Sequence, residues 1–326
     1  MSETTPTASP GRVAALCIGE TMALVYSPTA GRLTEQGGAL ALGVGGAESN
    51  VAMGLAQFGI PTGWWSRVGD DPLGRFVVDS IADSGVDVHA VRDRARQTGV
   101  YFKDVTPAGT RVYYYRNDSA ASAISPGDLP LLPDWERLLH FSGIVPALSA
   151  DADAFAQALL ERERAHDRLV SFDVNYRAGL WTETAASDRL ASLARLADIV
   201  FVGLDEARVL WGSERPEEVR ALLPGVAELV VKDAERGATA FMGDAVRTVP
   251  APPVEVTEAV GAGDAFAAGY LAARLGGSDP EARLRVGHLS ARRVLQSSSD
   301  TSPFPSLGDL LAEADRFDSY FPTAKG

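Results

Sequence analysis

Cysteine, lysine and histidine are scarce in this chain of 326 residues, which contains one, three and four of them. Cys17 cannot form an internal disulfide, and it lies in the apolar run Val13 to Ile18, so we expect a buried thiol in a reducing compartment. No run approaches the roughly 18 apolar residues of a membrane-spanning helix. Residues 1–12 are polar and have no apolar targeting core, which predicts a disordered tail and a cytoplasmic protein.

Motifs of several familiar enzyme classes are also missing. The sequence has no Gly-x-x-x-x-Gly-Lys-Ser/Thr phosphate loop, no Gly-x-Gly-x-x-Gly after its first strand and no His-Glu-x-x-His. Its histidines are scattered singly, without a partner at metal-ligand spacing. Hydride transfer and metal-dependent hydrolysis therefore lose support.

The charge balance argues against large anionic partners. Asp and Glu number 43 against 30 Lys and Arg, which gives a net charge of −13. Nonspecific binding to nucleic acid or to an anionic membrane is therefore not expected. A small anionic substrate remains compatible with this charge if basic residues gather locally.

Short apolar runs alternate with helical patterns along most of the chain, which is typical of a parallel sheet covered on both faces. The strands should be Val13 to Ile18, Thr62 to Val68, Leu138 to Ser142, Leu169 to Asp173, Asp198 to Val202, Glu228 to Lys232 and Thr239 to Met242. The helices should be Ser49 to Phe58, Pro72 to Ser84, Ala152 to Ala165, Asp205 to Trp211, Pro216 to Leu222, Pro280 to Gln296 and Leu307 to Phe317.

Two segments, about 21–44 and 98–119, interrupt this alternation and contain no convincing helix. The second segment favours a hairpin, with strands Val100 to Val105 and Arg111 to Arg116 around a turn at 107–109. We therefore expect one α/β domain over residues 13–320, with these two segments forming a small β-sheet lid.

The stretch Val260 to Phe266 carries the strongest chemical signal. Gly261 and Gly263 stand before Asp264 and a run with helical spacing, so a helix should begin near Ala262 or Gly263. Its first N–H groups would bind an anion, and Asp264 beside them would take a proton from an attacking hydroxyl. The same residues would also suit an ordinary glycine turn with an aspartate cap.

Four further clusters are candidates for ligand contacts. The glycine-rich run Gly43 to Asn50 leads into a helix. Strand alternation puts Tyr114 and Arg116 on one face, where they could hold a sugar carboxylate, although a solvated strand would show the same pattern. Asp173 to Arg177 follows a candidate strand, as ligand-binding residues of parallel sheets often do. Lys232 ends another strand and could neutralise phosphate, or could simply be a surface lysine.

Three motifs together resemble the ribokinase-like (PfkB-type) carbohydrate kinases. They are Gly45 to Ala52, Val68 to Gly74 and Gly261 to Asp264, which occur in the family's order and at similar separations. The resemblance implies a three-layer α/β/α sandwich with a mostly parallel central sheet and a β-sheet lid. Independently of it, the aromatic lid face of Phe102, Tyr113 and Tyr115 should be buried against a second copy of the lid or against the main domain, and a homodimer is the simpler expectation. It also implies the use of ATP and Mg²⁺ to phosphorylate the primary hydroxyl of a sugar.

Within the family, Asp173 to Arg177 and the lid motif Tyr114 to Arg116 are most similar to kinases of 2-keto-3-deoxygluconate. Fructokinases share the first of these motifs, so a neutral sugar is the alternative, and an inactive sugar-binding regulator is a further one. By resemblance, Asp264 is the base, and the N–H groups of Gly261, Ala262 and Gly263 stabilise the transferring phosphoryl group. The sugar contacts implied in addition to Asp264 are Gly45, Gly46, Asn50, Tyr101, Tyr114, Arg116, Asn175 and Arg177. The implied nucleotide contacts are Lys232, Gly237, Gly261 and Gly263.

Two departures from the family pattern affect bound ions. Glu258 to Val260 replaces the family's Asp-Thr-Thr, which puts monovalent-cation binding in doubt. Of the family's Asn-x-x-Glu, only Glu206 is present, and it is expected to hold Mg²⁺ indirectly, through water.

Overall fold

A computed structural model describes residues 13–27, 33, 39–106, 109–166, 168–297 and 301–321. The expected tail over 1–12, part of the first lid segment and the hairpin turn residues 107–108 lie outside these ranges. Thirteen strands and ten α-helices form within them. The strands are β1 (Val13–Ile18), β2 (Met22–Tyr26), β3 (Ala41–Gly45), β4 (Thr62–Gly69), β5 (Asp87–Asp93), β6 (Val100–Thr106), β7 (Gly109–Tyr115), β8 (Trp135–Ser142), β9 (Leu169–Asp173), β10 (Ile199–Gly203), β11 (Glu228–Asp233), β12 (Gly237–Met242) and β13 (Ala245–Val249). The helices are α1 (Ala47–Gln57), α2 (Pro72–Ala82), α3 (Ile144–Ala147), α4 (Ala150–Glu163), α5 (Glu183–Ala194), α6 (Leu204–Trp211), α7 (Pro216–Leu222), α8 (Ala262–Leu275), α9 (Pro280–Leu295) and α10 (Leu307–Ala314).

Nine strands form the central sheet, in the order β13-β12-β11-β10-β9-β8-β1-β4-β5. Its strands are parallel except where β12 pairs antiparallel with β11 and β13. The inner strands are almost wholly buried, as expected for a sheet covered on both faces. The mostly parallel central sheet expected from the sequence is confirmed.

Helices cover both faces of this sheet and give the expected three layers. Strand β1 shows the division, because Leu16 and Ile18 join one core while Ala15 and Cys17 join the other. Helices α3 to α7 bury their apolar faces in the first core, and α1, α2, α8, α9 and α10 bury theirs in the second. Burial raises the pKa of the Cys17 thiol. None of the helices within the described ranges combines the length and the apolar character needed to span a bilayer.

The second sheet has four strands in the order β3-β2-β6-β7, which come from the two segments assigned to the lid. Strands β6 and β7 form the antiparallel hairpin, with Tyr101 opposite Tyr114. Met22, Leu24 and Tyr101 form a small core on its inner face. On the other face, the side chains of Tyr113 and Tyr115 are 45% and 65% exposed.

Three elements that the sequence did not predict have weak apolar patterns. Strand β5 lies at the sheet edge, with most of its residues half-buried, and β13 exposes four of its five residues. Helix α5 is rich in alanine and serine, although Thr182 caps it by accepting a hydrogen bond from the N–H of Ala185. Neither edge strands nor a small-residue helix show the strong periodicity that identifies buried elements.

Helices α1 and α8 are separated by more than 200 residues but pack closely against each other. Gly54 on α1 makes this possible, because a Cβ atom there would lie 2.7 Å from the Cβ of Ala268 on α8. Real side chains do not approach this closely, so any larger residue must push the helices apart.

We expect Gly54→Val to destabilise the fold by about 1–3 kcal/mol, because overpacking a filled core costs that much. The free energy of unfolding from urea titration measures the effect. Gly225→Val is the matched control, since no atom lies within 4 Å of a Cβ at that position. Equal stability of the two variants would show that the helices separate without cost.

Candidate functional site

A cavity of about 1020 Å³ lies between the carboxyl ends of the central strands, the lid and the start of α8. Every candidate site residue named from the sequence lines it. These residues are Gly45, Gly46, Asn50, Tyr101, Tyr114, Arg116, Asn175, Arg177, Glu206, Lys232, Gly237, Gly261, Ala262, Gly263 and Asp264. The location agrees with the rule that open parallel sheets place ligands beyond the carboxyl ends of their strands.

Helix α8 begins at the cavity wall, where Gly261 precedes its first turn. Gly261 has φ 85°, a left-handed conformation that favours glycine. The N–H of Ala262 makes only a long contact of 3.4 Å with the carbonyl of Ala259. The first N–H groups of a helix have no intrahelical partners, and the helix dipole adds partial positive charge, so this end of α8 can bind an anion.

Asp264 lies in the first turn of α8 and is joined to α1. The Nδ2 of Asn50 donates to Asp264 Oδ2 at 2.8 Å. Burial raises the pKa of Asp264 to about 7, against the hydrogen bond from Asn50, which lowers it. A carboxylate with a pKa near neutrality is well matched to proton abstraction from a hydroxyl.

Two further carboxylates lie close to the carboxyl ends of β9 and β10: Asp173 ends β9, and Glu206 lies in α6, which follows β10. The ammonium of Lys232 donates to Asp173 Oδ2 at 2.8 Å. Burial opposes the charge on Lys232, but the carboxylates of Asp173 and Glu206 more than offset this and raise its pKa. Burial, and then repulsion by Asp173, raises the pKa of Glu206 to about 7. The Nζ of Lys232 also lies close to the start of α8, because a Cβ on Gly263 would be 3.6 Å from it.

Arg177 and Asn175 complete this side of the cavity, in the loop after β9. Arg177 is partly exposed, and its guanidinium lies 3.9 Å from a carboxylate oxygen of Glu206. Asn175 is buried and has φ 42°, a conformation that Asn adopts more readily than most residues. Both residues line the cavity together with Asp173.

The lid side of the cavity combines aromatic rings with a buried ion pair. The rings of Tyr101 and Tyr114 stack with centroids 5.7 Å apart, and the guanidinium carbon of Arg116 is 5.9 Å from the Tyr114 ring. Arg116 is paired with Glu20, which also accepts a hydrogen bond from Ser119 Oγ at 2.5 Å.

The sequence interpretation did not assign Glu20 to the site. The available signal was its position directly after β1, because the same strand-end rule drew attention to Asp173. Its pairing with Arg116 joins residues 96 positions apart, and a single sequence does not show such a contact.

Glu258 connects the lid to the loop before α8. Its carboxylate accepts hydrogen bonds from the N–H of Ala259 at 2.9 Å and of Val260 at 3.3 Å. The other oxygen lies 3.7 Å from Lys103 Nζ on β6 and 3.3 Å from Thr110 Oγ1 on β7. The residue that replaces the family's aspartate therefore already contacts a lysine cation.

The described residues contain no cluster of three His, Cys, Asp or Glu side chains that could hold a metal ion by themselves. Asp173 and Glu206 nevertheless offer carboxylate oxygens, and Asp173 Oδ1 is buried with no hydrogen-bond partner among the described residues. One or two carboxylates fit Mg²⁺ that arrives with phosphate ligands and water. The cavity therefore offers a base, an anion-binding helix end and a place for such an ion.

Comparison with known proteins agrees with this arrangement. The chain is 33% identical to a 2-dehydro-3-deoxygluconokinase of Bacillus subtilis, covering 91% of this chain and 94% of the relative. It is 34% identical to a fructokinase of Klebsiella pneumoniae, covering 70% of this chain and 76% of the relative. The crystal structure of a PfkB protein from Polaromonas sp. JS666 superposes with a TM-score of 0.81 at 34% identity, covering 92% of this chain and 99% of that one. Residues 14–307 match the pfkB family of carbohydrate kinases, and the chain belongs to that family.

Proposed function

We propose that this protein transfers the γ-phosphoryl group of ATP to the primary hydroxyl of 2-keto-3-deoxygluconate, a sugar acid. The observation that carries the proposal is the position of Asp264, a half-buried carboxylate in the first turn of α8 that accepts a hydrogen bond from Asn50. The lid residues Tyr114 and Arg116 line the same cavity and supply the contacts expected for a sugar acid.

In this mechanism Asp264 accepts the proton of the sugar hydroxyl as the hydroxyl oxygen attacks the γ-phosphorus. The bond from the γ-phosphorus to the β,γ-bridging oxygen breaks, and ADP leaves. Asn50 holds Asp264 in place through its side-chain hydrogen bond. The N–H groups at Gly261, Ala262 and Gly263 stabilise the negative charge on the transferring group. Lys232 and Arg177 supply positive charge near the transferring group, and Gly237 lets the backbone approach the nucleotide.

Magnesium bound with ATP would neutralise phosphate charge, and Glu206 would hold it through water. The protein backbone holds the Glu206 carboxylate at the edge of the cavity. The Oε2 of Glu206 accepts the N–H of Gly203 at 2.8 Å, which fixes its position.

The choice of an acid sugar rests on the lid and on the relatives. Arg116 can donate charge-assisted hydrogen bonds to a carboxylate, which a neutral sugar lacks. The Bacillus subtilis relative is named for a sugar acid and the Klebsiella pneumoniae relative for fructose, so a fructokinase is the second candidate. An inactive sugar-binding regulator would have no need for a base beside an anion site. A coupled assay of ADP release over a panel of sugar acids and neutral sugars tests the assignment.

We expect Asp264→Asn to lower kcat by a factor of about 100 or more, because general-base catalysis is typically worth 10² to 10⁴. Binding of ATP and sugar, measured by calorimetry, should change little. Asp244→Asn, on an exposed turn, is the control. Turnover near that of the wild type would remove Asp264 from the mechanism, and a matching loss of sugar affinity would indicate a structural role.

The pH dependence follows from the same residue. Below a pKa of about 7, Asp264 is protonated and cannot accept a proton, so kcat/KM should rise as pH increases through 7. Asn50→Ala removes a hydrogen bond that lowers this pKa and should shift the rise to higher pH. An unchanged profile in Asn50→Ala would assign the rise to another group.

The Arg116→Ala variant tests whether the preferred substrate is a sugar acid. We expect it to raise KM for 2-keto-3-deoxygluconate roughly tenfold or more, because a charge-assisted hydrogen bond contributes about 1.5–3 kcal/mol. Tyr114→Phe should have a smaller effect, and fructose activity should change little in either variant. Arg111→Ala is the matched control, because Arg111 is exposed on β7, the strand that leads to Arg116. Equal losses for both sugars, or better wild-type turnover of fructose, would favour the fructokinase assignment.

We also propose that the protein forms a homodimer through the outer lid face, which consists of Leu42, Phe102, Tyr113 and Tyr115. Register places Phe102 opposite Tyr113, and the rings of Phe102 and Tyr115 are in edge contact at 5.5 Å. Leu42 is 50% exposed, and an apolar sheet face of this kind is usually covered by a partner.

Light scattering of Tyr113→Lys tests the dimer, since a charge in the contact should shift a wild-type dimer to monomer. Val246→Lys places the same charge on an exposed apolar position of β13 and should leave the mass unchanged. A wild-type monomer at all concentrations would refute the proposal.

A further inference from the structure

The pair formed by Glu20 and Arg116 has no role in phosphoryl transfer as proposed above. Glu20 follows β1 and Arg116 follows β7, so the pair joins the central sheet to the lid. The two residues are 3% and 9% exposed, and both line the cavity. Burying two charges carries a large desolvation cost, so such a pair is weak evidence for a purely stabilising role.

Each carboxylate oxygen of Glu20 contacts another side chain, whereas only part of the Arg116 guanidinium has such a contact. Glu20 Oε2 pairs with the Nη2 of Arg116, and Glu20 Oε1 accepts from Ser119 Oγ. The Nε of Arg116 is buried and has no hydrogen-bond partner among the described residues. Arg116 also lines the cavity, so the guanidinium N–H groups that face it and are not engaged by Glu20 can donate to an oxygen atom of a ligand there.

The other charges around the cavity explain why Arg116 needs an anchor. Asp173, Glu206 and Asp264 line the same cavity. An unanchored guanidinium on a lid would be attracted to these carboxylates, which serve the phosphoryl-transfer side. Pairing with Glu20 keeps Arg116 on the sugar side.

We infer that Glu20 is a positioning residue for sugar-acid specificity: together with Ser119, it orients the Arg116 guanidinium so that the N–H groups facing the cavity meet the substrate carboxylate. This inference rests on the proposed sugar-acid kinase function. According to this inference, Glu20 strengthens the binding of the sugar acid, although Glu20 and the substrate are both negatively charged. A carboxylate that only repelled the substrate would have the opposite effect, and this difference in sign makes the inference testable.

The test is a double-mutant cycle, with KM and kcat measured separately for 2-keto-3-deoxygluconate and for fructose. Glu20→Ala should raise KM for the acid about tenfold, the size expected for loss of a charge-assisted hydrogen bond, and should leave kcat within about twofold. Glu20→Gln should raise KM less, because its amide oxygen still accepts hydrogen bonds. In the Arg116→Ala background, Glu20→Ala should add little, since Arg116 is no longer present to be positioned.

A second buried ion pair provides the structural control. Glu163 is 1% exposed and pairs with Arg168 at 2.7 Å, outside the cavity. Glu163→Gln should lower the melting temperature without changing the ratio of acid to fructose kcat/KM. Melting curves of the Glu20 variants show whether they remain folded at the assay temperature, and Glu20→Gln keeps the test available if Glu20→Ala does not fold.

The outcomes separate the two proposals. A wild-type enzyme that phosphorylates no sugar acid would refute the proposed function and remove the basis of this inference. If the wild type does phosphorylate the acid, the inference alone fails in three cases: an unchanged or lower KM in Glu20→Ala, equal losses for acid and fructose, or additive effects of Glu20→Ala and Arg116→Ala.

Discussion

The close contact between α1 and α8 is the constraint on which the site depends. These helices come from opposite ends of the chain and meet where Gly54 faces Ala268. Their separation determines whether Asn50 reaches Asp264, a hydrogen bond that spans 214 positions. A glycine one turn beyond Asn50 therefore controls the position of the candidate base as well as the packing of the core.

The distribution of charge gives the cavity its chemical character. Burial raises the pKa of both Asp264 and Glu206 to about 7, while Lys232 is paired with Asp173 between them. Among these four side chains, carboxylates therefore outnumber cations three to one. Such a site suits ligands that bring their own cation, which agrees with the proposed use of ATP with Mg²⁺.

The sequence predicted the parts of the molecule that depend on local pattern. Buried strands and the glycine-led start of α8 have strong local signals, and both were confirmed. The candidate residues gather at one cavity because parallel strands bring their carboxyl ends to one edge of a sheet. Strand β5 and helix α5 were missed, since half-buried elements lack a clear apolar period. The pairing of Glu20 with Arg116 depends on tertiary structure, as does the raised pKa of Asp264, so neither can be obtained from spacing alone.

The contacts of Glu258 limit how such a protein can be altered by recombination. Glu258 belongs to the loop that leads into α8, yet its carboxylate meets Lys103 and Thr110 of the lid. A lid taken from a relative with a different residue opposite Glu258 would change the contacts of the turn that we propose binds the phosphoryl group. The lid and this loop are therefore structurally coupled. A chimaera that exchanges the lid should exchange residues 258–261 together with it.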